Sequence, residues 1–142
     1  MQPSPAIREL QLRDFQNTVA QNLTSAMALW SNEPGAMFIG SDPSEWLTTR
    51  AAIEQMVRAA FEHSDETAGS GRMPDDLEIV AYEEGTVGWA NLRYTAKLPN
   101  GGSFLMRWTV IYHQESGQWK GVNGHVSVGV PDDKVMSFFS PS

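Results

Sequence analysis

From residue 77 onward the apolar residues recur at every second position, in four runs at about 77–83, 86–98, 102–114 and 118–130. A period of two is the repeat of a strand with one buried face. The runs are separated by EEGT (83–86), PNGG (99–102) and ESGQ (115–118), spacers of hairpin length. Asn100-Gly101 is the strongest of these turn signals, because both residues accept the positive φ of a tight turn. Strands joined only by hairpins are antiparallel neighbours. The second half of the chain is therefore constrained to a meander.

The first half has a different period. Ile7, Leu12, Phe15, Val19, Leu23, Met27 and Trp30 recur at spacings of three to five. They predict one long helix with a single apolar stripe, started at Ser4-Pro5 and stopped by NEPG at 32–35. AMFIGSDP (36–43) reads as a short strand or extended segment. A second helix is expected over about 50–63, with Ile53, Met56, Val57, Ala60 and Phe61 on one face and Trp46 and Leu47 folding onto it. HSDETAGSGRMPDD (63–76) has few apolar residues and reads as a mobile loop. Helices first and a meander last predict an α+β domain, with the helices on one face of a curved antiparallel sheet.

At 142 residues the chain has the length of one domain. Seventeen acidic against ten basic residues give a formal charge of −7, which argues against binding nucleic acid or an anionic membrane by bulk electrostatics. The absence of cysteine excludes disulfides, thiolate metal sites and a cysteine nucleophile. The first fifteen residues lack the basic head and apolar run of a signal peptide, and no apolar stretch has bilayer-spanning length. The expected setting is cytoplasmic.

Alternation sorts the strand faces. Phe104, Met106, Trp108, Val110 and Tyr112 share one face of the third strand and are the set expected to meet the helices. In the fourth strand Val122, Val126, Val128 and Val130 oppose Trp119, Asn123, His125 and Ser127. The second strand is undecided: Val87, Trp89, Asn91, Arg93 and Thr95 on one face, Gly88, Ala90, Leu92, Tyr94 and Ala96 on the other. Gly88, Gly121 and Gly124 are bulge sites that would flip the parity.

The pattern Arg107-x-Thr109-x-Ile111, Gly117-x-Trp119, Val122-x-x-His125-x-Ser127, with FIGSDPSEW ahead of a helix carrying AAI, resembles SnoaL-like members of the nuclear transport factor 2-like superfamily over about residues 15–131. The resemblance implies a cone-shaped curved antiparallel sheet wrapped around N-terminal helices, a cavity between them, and dimers through the outer sheet face. The strands are also similar to the association domain of calcium/calmodulin-dependent kinase II. There, Leu92-Arg93-x-Thr95 matches a segment whose arginine lies in the pocket, which favours an inward Arg93. Two further pocket arginines of that family match Val110 and Val126, implying a less cationic, more apolar pocket, and the match puts His125 and Ser127 outside. Ketosteroid isomerases share the fold, but their donor tyrosine and paired carboxyls have no counterparts here: no tyrosine precedes Tyr82, and Asp42 is the sole carboxylate near the base region.

His125-x-Ser127 places a base beside a hydroxyl, but no orienting acid is tied to them and no nucleophile elbow is present. A structural histidine is the better account. His63, His113 and His125 lack ligand spacing, so no metal site is expected. Gly69-Ser70-Gly71-Arg72 lacks the lysine of a phosphate loop. Arg93 is the residue singled out: a guanidinium between Trp89 and Trp108 would fix a carboxylate, enolate or carbonyl oxygen, against the alternative of a buried salt bridge to a helix acid such as Asp14.

The reading is a homodimeric, small-molecule-binding protein with a pocket of Arg93, Trp89, Asn91, Trp108, Val110, Val126 and Trp46, and no cofactor. An enzymatic version would transfer protons on a carbonyl compound, as in a lyase, isomerase or cyclase, with Asp42 and His125 as the candidate bases. The rival is a non-catalytic association module with a vestigial pocket.

Overall fold

The computed structural model describes residues 1–62, 72–98, 100–137 and 139. Strand β1 (Gln2–Pro3) precedes helices α1 (Pro5–Val19) and α2 (Leu23–Ala28). Strands β2 (Met37–Ile39) and β3 (Trp46–Leu47) lead into α3 (Arg50–Glu62). The meander follows as β4 (Glu78–Glu84), β5 (Val87–Lys97), β6 (Ser103–Glu115) and β7 (Gln118–Val128), and a short α4 (Asp132–Ser137) comes last. The sheet runs β1-β4-β5-β6-β7-β2-β3, antiparallel throughout except that β2 lies parallel to β7. This is the α+β arrangement the period change predicts, with a parallel β7–β2 pair and a two-residue N-terminal strand that it does not.

Ser4 caps α1, its hydroxyl accepting from the Ile7 amide at 3.3 Å, and Pro5 occupies the first turn, where a missing N–H costs nothing. The expected single helix breaks after Val19. Gln21 adopts φ 54°, a left-handed conformation that ends helices, and the Asn22 side chain accepts from the Ser25 amide at 3.0 Å to start α2. The break lets α2 turn to pack against both α1 and α3. Ile7, Phe15, Met27 and Trp30 all remain buried, so the stripe survives although the helix does not.

Which sheet face meets the helices follows from the β5–β6 register. Ala90 pairs with Val110, Leu92 with Trp108, Tyr94 with Met106 and Ala96 with Phe104. Cross-strand partners point to the same side of a sheet, so these residues of β5 turn inward with the apolar face of β6. Trp89, Asn91 and Arg93 therefore point outward, and the inward placement favoured by the kinase-domain resemblance is overturned. An inner face of Ala, Leu and Tyr buries apolar surface at no charge-desolvation cost, whereas an inward Arg93 would need a buried counter-ion.

β7 changes parity once. Ile111 pairs with Asn123 but Tyr112 pairs with Gly121, leaving Val122 as the extra residue of a bulge. Gly124, Val126 and Val128 face inward on one side of it. On the other, Trp119 packs against the cluster of Ile7, Ala81, Ala90, Val110 and Tyr112, not on the outer face expected of it. His125 and Ser127 do lie outside, opposite Thr109 and Arg107. Among the described residues no helix is long and apolar enough to cross a membrane.

Candidate functional site

The inner sheet face and the helices enclose a cavity of about 1060 Å³. Helix α3 supplies one wall with Ile53, Met56, Val57 and Phe61; β5 and β6 supply the opposite wall with Tyr94, Met106, Trp108 and Val110. Aromatic edges tie the walls together. Trp30 meets Phe38 at 6.0 Å, Phe38 meets Trp108 at 6.3 Å, and Phe15 meets Tyr94 at 5.0 Å, all edge-to-face. That geometry holds each ring by its neighbour and keeps the lining in place.

Apolar residues form most of this lining. The charged ones are Glu45, Arg72, Asp75, Asp76, Lys97 and Asp14. Asp14 differs from the rest in its surroundings. It sits on α1 beside Phe15 and Thr18, is half-buried, and lines the cavity. Burial pushes its carboxyl from 3.8 up to about 7, an effect the Gln11 side chain partly offsets, because a low-dielectric setting disfavours the charged form. By contrast, Asp76 is exposed and its carboxylate accepts from the Thr95 amide at 3.1 Å, which holds it below the ordinary range.

Two buried donors have no hydrogen-bond partner among the described residues: Trp108 Nε1 and Gln11 Nε2. Trp108 lines the cavity, and its indole N–H lies close enough to Tyr94 to offset part of the rise that burial imposes on that phenol. Gln11 lies behind the wall, where its Oε1 accepts from the Tyr112 hydroxyl at 2.8 Å. Burial, together with the nearby Asp14 charge, pushes the Tyr112 phenol well up, so it stays a donor at all ordinary pH.

The residues singled out from the sequence are divided by this geometry. Trp108, Val110 and Val126 lie along the cavity wall. Arg93 is on the outer face, where with Asn91 it lines a depression of about 410 Å³; its Nη2 is 2.7 Å from Glu78 Oε2 in an exposed ion pair, so it neither lines the inner cavity nor makes a buried pair with Asp14. Trp89 stacks on Tyr82 outside, ring centroids 6.2 Å apart. Asn91 accepts from Thr109 Oγ1 at 2.8 Å on the same face. Trp46 is 64% exposed in β3 and is not among the residues lining the cavity.

Asp42 occupies an exposed turn where Ser44 donates from its backbone N–H at 2.8 Å and from its hydroxyl, lowering its pKa and leaving it outside the cavity. His125 and His113 are exposed on the outer face. His63 and residues 69–71 lie outside the described residues. Among the described residues no three His, Asp or Glu side chains group as a metal site. Asp14 and Gln11 went unremarked as site residues. The signal was their position: both interrupt the inward stripe of α1, between Ile7 and Phe15, where apolar residues were due.

The SnoaL-like domain family is matched over residues 12–131. A nuclear transport factor 2-like protein of unknown function from Pseudomonas putida is similar over 90% of this chain and 87% of its own, with a TM-score of 0.74 at 17% identity. A nuclear transport factor 2-like protein with a cystatin-like fold from Novosphingobium aromaticivorans covers 92% of this chain and 86% of its own, with a TM-score of 0.63 at 15% identity. A ketosteroid isomerase-like protein from Erwinia carotovora atroseptica covers 89% and 95%, with a TM-score of 0.62 at 12% identity. At these identities the likeness is one of fold. No curated protein matches the sequence.

Proposed function

The chain belongs to the SnoaL-like domain family, and on that footing we propose that it binds a largely apolar carbonyl compound in the cavity and moves a proton on it with Asp14. The observation that carries this is Asp14, the acid of the lining that stands beside Phe15 on α1, its carboxyl pushed up to about 7 by burial. A carboxyl poised near neutrality exists in both forms at ordinary pH, which suits a group that takes a proton and gives it back. In the step, the Asp14 carboxylate removes a proton from the carbon next to the carbonyl. The C–H electrons pass into the enolate, leaving the negative charge on the former carbonyl oxygen. Return of the proton to the same or a conjugated carbon completes an exchange or an isomerisation.

The cavity volume and lining support an apolar ligand of drug-like size. A ketosteroid isomerase-like fold neighbour agrees with the class of chemistry without supplying its residues. The test is binding of apolar ketones, followed by quenching of tryptophan fluorescence, with deuterium exchange next to the carbonyl followed by NMR. Wild type should bind and exchange, and Asp14→Asn should bind without exchanging. Exchange by Asp14→Asn at the wild-type rate would remove the proton-transfer role.

A second reading, association of two copies through the outer sheet face, is supported by exposed Val80, Val87 and Ile111 beside the Tyr82–Trp89 stack. Ile111→Asp should then convert a dimer to a monomer in sedimentation; a monomeric wild type would end this reading.

A further inference from the structure

Gln11 precedes Asp14 by three residues on α1 and is 1% exposed. Residues three apart share a helix face, so the amide and the carboxyl are carried on the side of α1 that meets the sheet. Tyr112, inward on β6, donates from Oη to Gln11 Oε1 at 2.8 Å. That bond commits the amide. With Oε1 taken by the phenol, Nε2 is turned away from Tyr112, and it has no hydrogen-bond partner among the described residues. A buried N–H without an acceptor is costly, and the neighbouring acceptor is Asp14, whose carboxyl already feels this side chain. The reverse amide orientation is chemically available: Nε2 would donate to the phenol oxygen, and Oε1 would accept from a protonated carboxyl. The orientation present is the one that suits a carboxylate.

The geometry points to Gln11 as the positioning residue of Asp14: Tyr112 holds its Oε1, which leaves Nε2–H as the donor for the carboxylate form. The purpose of this device rests on the proton-transfer reading above. The relay from Tyr112 through Gln11 adds no charge. It favours the carboxylate over the acid within an apolar wall, and so keeps a basic form available there. Few other groups compete. Tyr94 of β5 lines the same cavity, β4 and α2 present Ile79, Ala81, Ala26 and Met27 to the interior, and the remaining charges of the lining are Glu45, Arg72, Asp75, Asp76 and Lys97.

The test is the ¹³C NMR titration of the Asp14 carboxyl, assigned by its loss in Asp14→Asn and measured in wild type, Gln11→Met and Tyr112→Phe. Losing the donor should move the midpoint upward, by about one to two pH units in Gln11→Met and by less in Tyr112→Phe, where the amide is only freed to turn. A merely structural role predicts the opposite sign, because loosened packing admits water, which solvates the carboxylate and draws the midpoint down toward 3.8. A downward shift, or none, in whichever variant folds overturns the proposal. The proton-transfer reading fails separately, if wild-type Asp14 titrates in the ordinary carboxylate range.

Discussion

Phe38 and Gly124 are partners in the parallel β2–β7 ladder, and the Phe38 ring lies where a side chain on Gly124 would go. A Cβ built on Gly124 would come within 2.6 Å of Phe38 Cδ2 and 3.0 Å of Trp30 Cη2. The glycine therefore lets the ring lie flat against the sheet, where it joins Trp30 to Trp108 along the cavity wall.

Gly124→Ala should accordingly destabilise the fold by about 1–3 kcal/mol, the usual cost of overpacking a closed core, read as a lowered urea midpoint. Gly121→Ala is the control. Its Cβ would meet nothing nearer than 3.6 Å, an ordinary contact, so the midpoint should move much less.

Asp14 makes stability depend on pH with a definite sign. Its folded-state pKa is raised, so the contribution is fully present below the unfolded value of 3.8 and is lost as pH rises to about 7. The loss is bounded at roughly 4 kcal/mol by that shift. Asp42, Asp76 and Glu83 are shifted downward, so their effects appear only as pH falls through and below the ordinary carboxylate range. Urea melts from pH 4 to 8 should show falling stability in wild type and a flat profile in Asp14→Asn, which should be the more stable protein at pH 8.

Tyr112→Phe removes one donor and leaves Gln11 Oε1 without its partner in a buried site. The expected cost is about 1–3 kcal/mol, measured by chemical denaturation. The double variant Tyr112→Phe with Gln11→Met should cost less than the two single changes added together, because each removes the same bond.

Arg93→Ala breaks only the exposed pair with Glu78. Such pairs contribute about 0–1 kcal/mol, so the melt should barely move, and quenching of tryptophan fluorescence by a cavity ligand should be unchanged. Loss of ligand binding in this variant would contradict the outward placement.

Much of this was legible in the chain. The change of period near residue 77, the three turn spacers and Asn100-Gly101 require an antiparallel meander, since alternation and hairpin length are properties of local sequence. Ser4-Pro5 marks the start of α1 because capping is satisfied within one turn. The family resemblance points to the same architecture, and the apolar face of β6 follows from alternation alone.

What tertiary structure decided was orientation and environment. Alternation says that Arg93 and Leu92 face opposite ways, but not which faces the helices; the pairing of Leu92 with Trp108 settles that. The bulge at Val122 reverses the parity of β7, so Trp119 and Val126 both turn inward although seven residues apart. The left-handed Gln21 divides one stripe between two helices. Asp14 became a candidate only when Phe15, Tyr94 and Trp108 were seen to share its cavity. A carboxyl's proton affinity is set by the dielectric around it, and those surroundings come from residues dozens of positions away.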